Sequence, residues 1–221
     1  MSYLGTFDTA RSGGDSLYVR LGFKRLLDVC VALVALIFFL PVILLIGFAL
    51  LWADGYPIHF RHQRIGRNGR SFSCLKFRTM VRDSDEQLRK LLAEDPAALK
   101  EWNDTHKLRN DPRIHAVGSL LRKSSLDELP QLLNVLRGDM SIVGPRPIVT
   151  DEVRRYSDQF SVYSSVRPGV SGPWQVGGRS NLSYAERVSL DVDYVETISL
   201  KRDLQILLKT VLVVTTGRGS M

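Results

Sequence analysis

Two adjacent carboxylates, Asp127 and Glu128, lie in the stretch SSLDELPQ, between a pair of serines and a proline. Ser125 and Glu128 have the spacing of a capping box, in which two side chains satisfy backbone N–H groups at the start of a helix. Paired carboxylates can also divide the work of a nucleophile and of a base or metal ligand. The local pattern alone favours capping, and the choice depends on the rest of the chain.

Pro130 indicates where this helix begins, because proline is tolerated in the first helical turn and disrupts later ones. The helix is predicted to start near residues 126–129 and to continue to Leu136, and Gly138 is a typical residue for its end. Both carboxylates then lie at the helix N-terminus, where backbone N–H groups should keep Asp127 ionised and favour a phosphate beside it.

A run of 25 residues without charge, from Val29 to Ala53, predicts a membrane segment. As a helix it would extend about 38 Å, and the hydrocarbon layer of a bilayer is about 30 Å thick. Pro41 divides the run into two halves that would each reach about mid-bilayer. A kinked spanning helix is an alternative, because membrane helices tolerate proline. Arg and Lys on both sides of the run favour a re-entrant helix-break-helix with both ends cytoplasmic.

The bulk properties fit one membrane-associated domain of a protein with an anionic partner. The 221 residues divide into a mobile tail (1–20), the membrane segment (21–54) and a cytoplasmic domain (55–221). The net charge of +7 suits nucleic acid, an acidic membrane surface or a phosphorylated substrate. No nucleic-acid-reading motif is present, so nucleic acid is not an expected partner.

Histidine and cysteine give no metal or disulfide signal. Cys30 lies in the apolar run and Cys74 in a basic segment, so neither a disulfide nor a metal site is predicted, and a reducing compartment is the simpler inference. His59 and His62 have a spacing that could hold a metal on a helix, but no cluster completes a site, and we interpret them as solvated surface residues.

The segments after the membrane run predict an α+β, mainly helical domain. Asn68-Gly69 indicates a β-hairpin within a basic stretch. An amphipathic helix is predicted from Ser84 to Glu94, opened by Ser84 and Gln87, with a second polar helix continuing through Trp102. The apolar residues 204–214 predict a helix that is either buried or placed at the membrane interface.

Two loops rich in Gly and Pro carry large side chains that could line a pocket. GDMSIVGPRP holds Arg146 between prolines, which suits bidentate contact with phosphate, although an exposed structural turn is equally compatible. RPGVSGPWQVGGRSN contains Trp174 and Arg179.

These motifs together resemble the bacterial sugar transferase family, the monotopic phosphoglycosyl transferases. The resemblance rests on KRLLDV before a proline-broken apolar run, LKFRTM, LRKSSLDELPQLLNVLRGDMSIVGPRP, RPGVSGPWQVGGRS and the C-terminal apolar helix. It covers roughly residues 21–217. It implies a monotopic membrane protein with a proline-broken re-entrant helix at Pro41, interfacial amphipathic helices and a small β-hairpin.

The resemblance also implies a reaction. The family transfers hexose 1-phosphate from a UDP-sugar, here UDP-glucose or UDP-galactose, to undecaprenyl (polyprenol) phosphate, with magnesium as cofactor and UMP as product. Asp127 would be the nucleophile that forms a phosphosugar intermediate. Glu128 would be its partner, and the two carboxylates would hold the magnesium. The residues expected to bind substrate are Lys76, Arg78, Arg122, Arg146 and Arg179.

The expected location is the cytoplasmic face of the bacterial inner membrane, where a soluble nucleotide sugar can meet a lipid phosphate. A homo-oligomer is compatible with the sequence. The alternative is a non-catalytic, membrane-anchored basic adaptor that binds lipid head groups or a polysaccharide-assembly partner, with Asp127 and Glu128 only capping a helix.

Overall fold

The computed structural model describes residues 17–20, 22–105, 108–178 and 182–216. The helices and strands within them follow in chain order: α1 (Leu17–Arg20), α2 (Phe23–Asp54), β1 (His59–Ile65), β2 (Ser71–Phe77), α3 (Ser84–Glu94), α4 (Pro96–Thr105), α5 (Ala116–Ser124), α6 (Gln131–Arg137), β3 (Ser141–Val143), α7 (Val153–Tyr156), α8 (Phe160–Ser164), β4 (Gly169–Ser171), α9 (Pro173–Gly177), α10 (Tyr184–Glu196) and α11 (Leu200–Thr216). The predicted α+β, mainly helical class is confirmed. Of the predicted tail, residues 1–16 lie outside the described residues and residues 17–20 form α1.

The predicted β-hairpin is confirmed. Strands β1 and β2 pair antiparallel, with His59 opposite Phe77 and Ile65 opposite Ser71. Asn68 and Gly69 in the connection have φ angles of 57° and 72°, a left-handed conformation that Asn and Gly adopt more readily than other residues. A second, parallel pair of three-residue strands, β3 and β4, was not predicted.

The predicted helices are also found. Helix α3 has the predicted bounds, but its N-cap is Asp83 rather than Ser84, and the Gln87 amide donates to the Asp83 carboxylate at 3.2 Å. Helix α4 continues past Trp102 to Thr105. The apolar C-terminal segment lies within α11, and its predicted place at a membrane interface stays a prediction.

Helix α2 is a single helix of 32 residues that continues through Pro41. The predicted division into two halves is therefore not confirmed, which agrees with the tolerance of long apolar helices for an internal proline. Much of its surface is exposed and apolar. Among the described segments, α2 is the one helix long and apolar enough to cross a membrane by length and composition.

Both ends of α2 pack on the same folded unit. Near its start, the Arg25 guanidinium donates to the carbonyl oxygens of Val135 (2.6 Å) and Leu136 (3.0 Å) at the end of α6. Near its other end, Ile46 and Leu50 are buried in a cluster with Phe77 of β2 and Leu121 of α5. The helix is therefore held along its length by α6, β2 and α5.

The first turns of α2 carry a buried ion pair into the domain. The Lys24 ammonium lies 3.1 Å from Asp28 Oδ1, and Asp28 is 1% exposed. The same carboxylate oxygen accepts hydrogen bonds from the Ser141 hydroxyl (2.8 Å) and the Ile142 backbone N–H (3.0 Å) at β3. These contacts join α2 to the centre of the molecule.

Lys24 also joins α2 to the C-terminal helices. Its ammonium lies 2.8 Å from Asp203 Oδ2, and Asp203 is fully buried on α11. Hydroxyl groups of Tyr18 in α1 and Tyr194 in α10 donate to the Asp203 carboxylate at 2.9 and 2.7 Å. One cation thus connects four helices at a point where charge could not be left unpaired without a large cost.

Replacing Asp28 with Ala should lower the free energy of unfolding by about 3 kcal/mol, because the buried Ile142 N–H loses its acceptor, the Ser141 hydroxyl keeps only the Val143 carbonyl and Lys24 keeps one partner of two. The control is Asp193→Ala, which removes the solvent-exposed partner of Arg202 and should cost less than about 1 kcal/mol. Chemical denaturation in detergent micelles measures both, and equal losses would contradict the role assigned to Asp28.

Candidate active site

Asp127 and Glu128 lie on a short 3-10 turn, Leu126–Glu128, between α5 and α6. The predicted capping box is wrong. Ser125 ends α5 in a left-handed conformation (φ 58°), and its side chain caps nothing. The Glu128 carboxylate is turned instead toward β2. Helix α6 starts at Gln131, later than the predicted start near residues 126–129, because the carboxylates occupy a separate 3-10 turn; its predicted end at Gly138 is confirmed.

Lys76 of β2 contacts both carboxylates. Its ammonium donates to Glu128 Oε1 at 2.6 Å and lies 3.7 Å from Asp127 Oδ2. The side chains of Asp127 and Glu128 are 13% and 22% exposed, so substrate can reach both. The structure thus brings Lys76 together with the predicted catalytic pair.

Asn134, which the sequence analysis did not select, holds this arrangement in place. It is fully buried on α6, in the helix that follows the carboxylates. Its Oδ1 accepts from the Leu75 backbone N–H at 2.9 Å, and its Nδ2 donates to the Ser73 carbonyl at 2.8 Å. These bonds attach α6 to β2 beside Lys76, so the three charged groups are held by rigid elements.

The surroundings shift the pKa values of the two carboxylates in opposite directions. Burial raises the pKa of Asp127 and the Glu128 charge adds to the rise, while Lys76 and Arg122 oppose it. This differs from the expectation that a helix N-terminus would dominate. Burial also acts to raise the pKa of Glu128, but Lys76, Arg146 and Arg64 outweigh it, so that pKa is lowered. Such a divergence is typical of carboxylate pairs with separate tasks.

The pair lies in an open pocket of about 810 Å³, within the size range of ligand sites. Six basic side chains and three acidic ones line it, so its charge is complementary to phosphate. The charged lining residues are Arg64, Lys76, Arg78, Arg82, Arg113, Arg122, Asp85, Asp127 and Glu128.

Arg122 reaches the pocket because α5 packs directly on the backbone at Thr79. A Cβ added to Gly118 would lie 2.1 Å from the Thr79 carbonyl oxygen, so the contact requires glycine. One turn later, Arg122 Nε donates to Thr79 Oγ1 at 2.8 Å. The positive charge of Arg122 acts to lower the pKa of Asp127, against the larger rise that burial causes.

Arg78 lines the pocket but is also engaged by the end of α2. Its guanidinium forms an ion pair with Asp54 at 2.7 Å and donates to the carbonyl oxygens of Asp54 (2.9 Å) and Gly55 (2.8 Å). Its predicted contact with phosphate stays a prediction. The contacts in the structure assign it to holding the end of α2 against β2.

Arg146 borders the carboxylates from the other side. It lines a small cavity together with Lys76 and Glu128, and its guanidinium lies 5.5 Å from the centre of the Trp174 ring. Arg187 lies over the same ring at 4.8 Å. The two Gly- and Pro-rich loops therefore meet at Trp174. Arg179 lies outside the described residues, and its place near the donor stays a prediction.

Arg64 and the two histidines of β1 were not predicted to belong to the site. Arg64 donates to the Pro147 carbonyl at 3.2 Å and so supports the loop of Arg146. His59 and His62 line the pocket rather than only the solvated surface. Residues three apart on a strand point to opposite faces, so these histidines do not form a joint metal site. The basic run around the hairpin was the available signal, but it could equally mark a solvated loop.

Asp191 of α10 lies behind the pocket and is fully buried. The Tyr156 hydroxyl donates to it at 2.9 Å. Burial raises the pKa of Asp191 to about 7, although the hydrogen bond from Tyr156 and the nearby polar groups of Trp174 and Arg146 act to lower it. Its Oδ1 has no hydrogen-bond partner among the described residues, so Asp191 is a buried carboxyl with one bonded oxygen.

This raised pKa predicts a measurable pH dependence of stability. The folded state holds the Asp191 proton up to about pH 7, whereas the unfolded chain releases it near pH 3.8. Stability from this group is therefore lost as pH rises between these values, by about 2 kcal/mol from pH 5 to pH 7. Denaturation of the wild type and of Asp191→Asn at both pH values measures it. Parallel curves for the two proteins would contradict the assignment.

The carboxylate pair fits magnesium provided that a phosphate ligand completes the site. Magnesium prefers oxygen ligands and is commonly held by one or two carboxylates together with substrate phosphates and water. The described residues contain no cluster of three or more His, Cys, Asp or Glu side chains placed to hold a metal alone. Asp127 and Glu128 would therefore suit a magnesium ion that a phosphate group also binds.

Comparisons with known proteins identify the family of this chain. The family model for the bacterial sugar transferases matches residues 19–217. The exopolysaccharide production protein ExoY of Rhizobium meliloti is 51% identical over 197 residues, which span 89% of this chain and 87% of that protein. The undecaprenyl-phosphate galactose phosphotransferase of Salmonella typhimurium is 49% identical over 89% of this chain and 41% of its own length.

A relative with a different sugar in its name is also found. The UDP-glucose:undecaprenyl-phosphate glucose-1-phosphate transferase of Caulobacter vibrioides is 40% identical over 92% of this chain and 74% of that protein. The family match covers most of the chain, including both carboxylates, Lys76 and the loop of Arg146. The resemblance inferred from the motifs is confirmed, and the chain belongs to the bacterial sugar transferase family.

Proposed function

We propose that this protein transfers hexose 1-phosphate from a UDP-sugar to undecaprenyl phosphate and releases UMP, as the first membrane step of exopolysaccharide or related glycan synthesis. The observation that carries the proposal is the contact of Lys76 with both Asp127 and Glu128 in a basic pocket next to the end of an apolar helix. The names of the relatives support the proposed substrates, since one relative is named for galactose and another for glucose.

The first step is attack by a carboxylate oxygen of Asp127 on the phosphorus that bears the sugar. A bond forms between that oxygen and phosphorus, and the bridging bond to the second phosphate breaks with its electron pair going to UMP. The enzyme then carries an aspartyl phosphosugar. In the second step, a phosphate oxygen of the lipid attacks the same phosphorus, and Asp127 leaves as a carboxylate.

The neighbouring charges suit this chemistry. A nucleophile must be ionised, and Lys76 and Arg122 favour the ionised form of Asp127 against its burial. Transfer of a phosphoryl group depends mainly on positioning and on neutralising charge. Basic side chains that border the carboxylates from both sides supply that neutralisation at fixed positions.

Glu128 is suited to a task as a charged ligand. The lowered pKa of Glu128 and its hydrogen bond from Lys76 keep the side chain ionised. An ionised carboxylate cannot donate a proton. The lipid acceptor is already a phosphate anion, so the second step requires little removal of a proton. Magnesium, which we propose as the cofactor, would neutralise diphosphate charge when bound, and Asp127 and Glu128 are the residues that would hold it.

We also propose that α2 is re-entrant at Pro41 and that the protein lies on the cytoplasmic face of the bacterial inner membrane. A straight spanning helix would place its ends about 30 Å apart across the hydrocarbon layer. In support of re-entry, residues near both ends of α2 contact one polar domain. Cysteines introduced on each flank should resist labelling from outside intact cells, and external labelling of one flank would contradict re-entry.

The activity is tested by incubating purified protein with undecaprenyl phosphate, magnesium and a panel of UDP-sugars. We expect UMP and a lipid-linked sugar phosphate with UDP-glucose or UDP-galactose. The adaptor hypothesis predicts binding to lipid without either product. A panel of all common nucleotide sugars that gives no UMP would therefore exclude the proposed reaction.

A further inference from the structure

Three exposed aromatic residues lie in the segment that runs from the last turn of α2 to β1, and the last of them, Phe60, lines the catalytic pocket. Trp52, Tyr56 and Phe60 are 85%, 76% and 50% exposed, and the Trp52 ring lies beside Phe48 of the same helix, 6.4 Å between ring centres. Large apolar side chains that are exposed together indicate a surface with an apolar partner. We refer to Trp52, Tyr56 and Phe60 as the aromatic strip.

The inner end of the strip is adjacent to the carboxylate pair. Phe60 lines the pocket together with Pro57. In the hairpin, Phe60 lies directly opposite Lys76, so the two side chains share one face at close range. Lys76 in turn contacts Asp127 and Glu128. One cross-strand step therefore separates an exposed apolar ring from the reacting groups.

The outer end of the strip is held in a fixed position relative to the pocket. Arg78 of the segment after β2 binds the carbonyl oxygens of Asp54 and Gly55, just beyond Trp52. Its backbone N–H donates to the Ile58 carbonyl at 2.9 Å. The end of α2, the strip and the pocket wall are thus one connected unit, and the strip continues the exposed apolar surface of α2.

Resting on the proposed function, we infer that the aromatic strip binds the isoprenoid tail of the acceptor lipid and guides its phosphate to Asp127. An acceptor with an apolar tail and an anionic head must contact apolar surface and basic pocket at once. The strip and the pocket present these two surfaces in that order. Phe60 contacts the first isoprene units beside the phosphate, and Trp52 contacts units further along the tail.

The test compares Phe60→Ser with Phe60→Leu, which keeps an apolar side chain, in the full-length protein. We expect Phe60→Ser to raise the KM for undecaprenyl phosphate about tenfold, and Phe60→Leu to stay within about threefold of the wild type. The rise in the KM for undecaprenyl phosphate should exceed any change in the KM for the UDP-sugar, because the strip is assigned to the lipid. Trp52→Gln should raise the KM for undecaprenyl phosphate but not for a short isoprenoid phosphate.

Phe38→Ser is the matched control, because Phe38 is an exposed aromatic residue (74%) in the middle of α2 and outside the pocket lining. An equal rise in KM for Phe38→Ser would show general membrane anchoring and would overturn the inference. An unchanged acceptor KM in Phe60→Ser, or an equal rise in its KM for the UDP-sugar, would also overturn it. No UMP from the wild type would contradict the proposed function itself.

Discussion

Replacing Asp127 with Asn should lower turnover by about a thousandfold or more, because the amide cannot attack phosphorus and only binding and charge neutralisation remain. The matched control is Asp85→Asn, which removes another carboxylate from the lining of the same pocket and should change turnover by less than about threefold. UMP release under saturating donor and lipid measures both variants.

Two outcomes would contradict this prediction. Turnover of Asp127→Asn close to that of the wild type would show that another group is the nucleophile. Similar losses in Asp127→Asn and Asp85→Asn would show that the pocket responds to any loss of negative charge. Glu128→Gln gives a further comparison. If Glu128 is a magnesium ligand, the lowered activity of this variant should rise when more magnesium is added.

Replacing Lys76 with Met should have the second largest effect, about a hundredfold loss of kcat/KM at neutral pH. Lys76 lowers the pKa of both carboxylates, so its removal raises both. Asp127 must be ionised to attack, so the acidic limb of the pH profile of kcat/KM should move to higher pH in Lys76→Met. Activity should then recover in part as pH rises.

The control for Lys76→Met is Lys123→Met, which removes an exposed cation from α5 close to the turn of Asp127 in the sequence. Its pH profile should match that of the wild type. A uniform loss in Lys76→Met with no shift of the acidic limb would limit Lys76 to binding substrate. Rates over a range of pH with subsaturating donor measure the limb directly.

Local sequence signals predicted much of the fold correctly. Asn68-Gly69 marks the hairpin because few other residues adopt its left-handed backbone, and Pro130 and Gly138 bound α6 for comparable conformational reasons. Helices α3 and α11 follow their apolar periodicity. The short parallel pair β3 and β4 was missed, because three-residue strands carry almost no periodic signal.

The capping-box prediction was wrong because the Glu128 carboxylate binds a residue far away in the sequence instead of the nearby backbone. Ser125 and Glu128 have the right spacing, but Glu128 binds Lys76, 52 positions away in the chain. That contact exists because Asn134 attaches α6 to β2, a pairing that single-sequence patterns do not encode. The family resemblance, rather than the residue types alone, selected Lys76 and Asp127 together.

Buried polar residues were the least predictable part of the site. Lys24 and Asp28 resemble the charged flank of a membrane segment in sequence, yet both are buried and connect α2 to β3 and α11. Asp191 lies in an ordinary amphipathic pattern, and its burial and its hydrogen bond from Tyr156 are visible only in the folded structure. Such groups depend on partners brought together by the tertiary fold.

The most direct measurement of the central claim is the mass of the protein after incubation with UDP-sugar and magnesium in the absence of lipid. We predict a mass increase of one phosphohexose, located on the peptide that contains Asp127 and lost when undecaprenyl phosphate is added. A wild-type protein that forms lipid-linked sugar yet never carries this group, or carries it on another residue, would contradict the account.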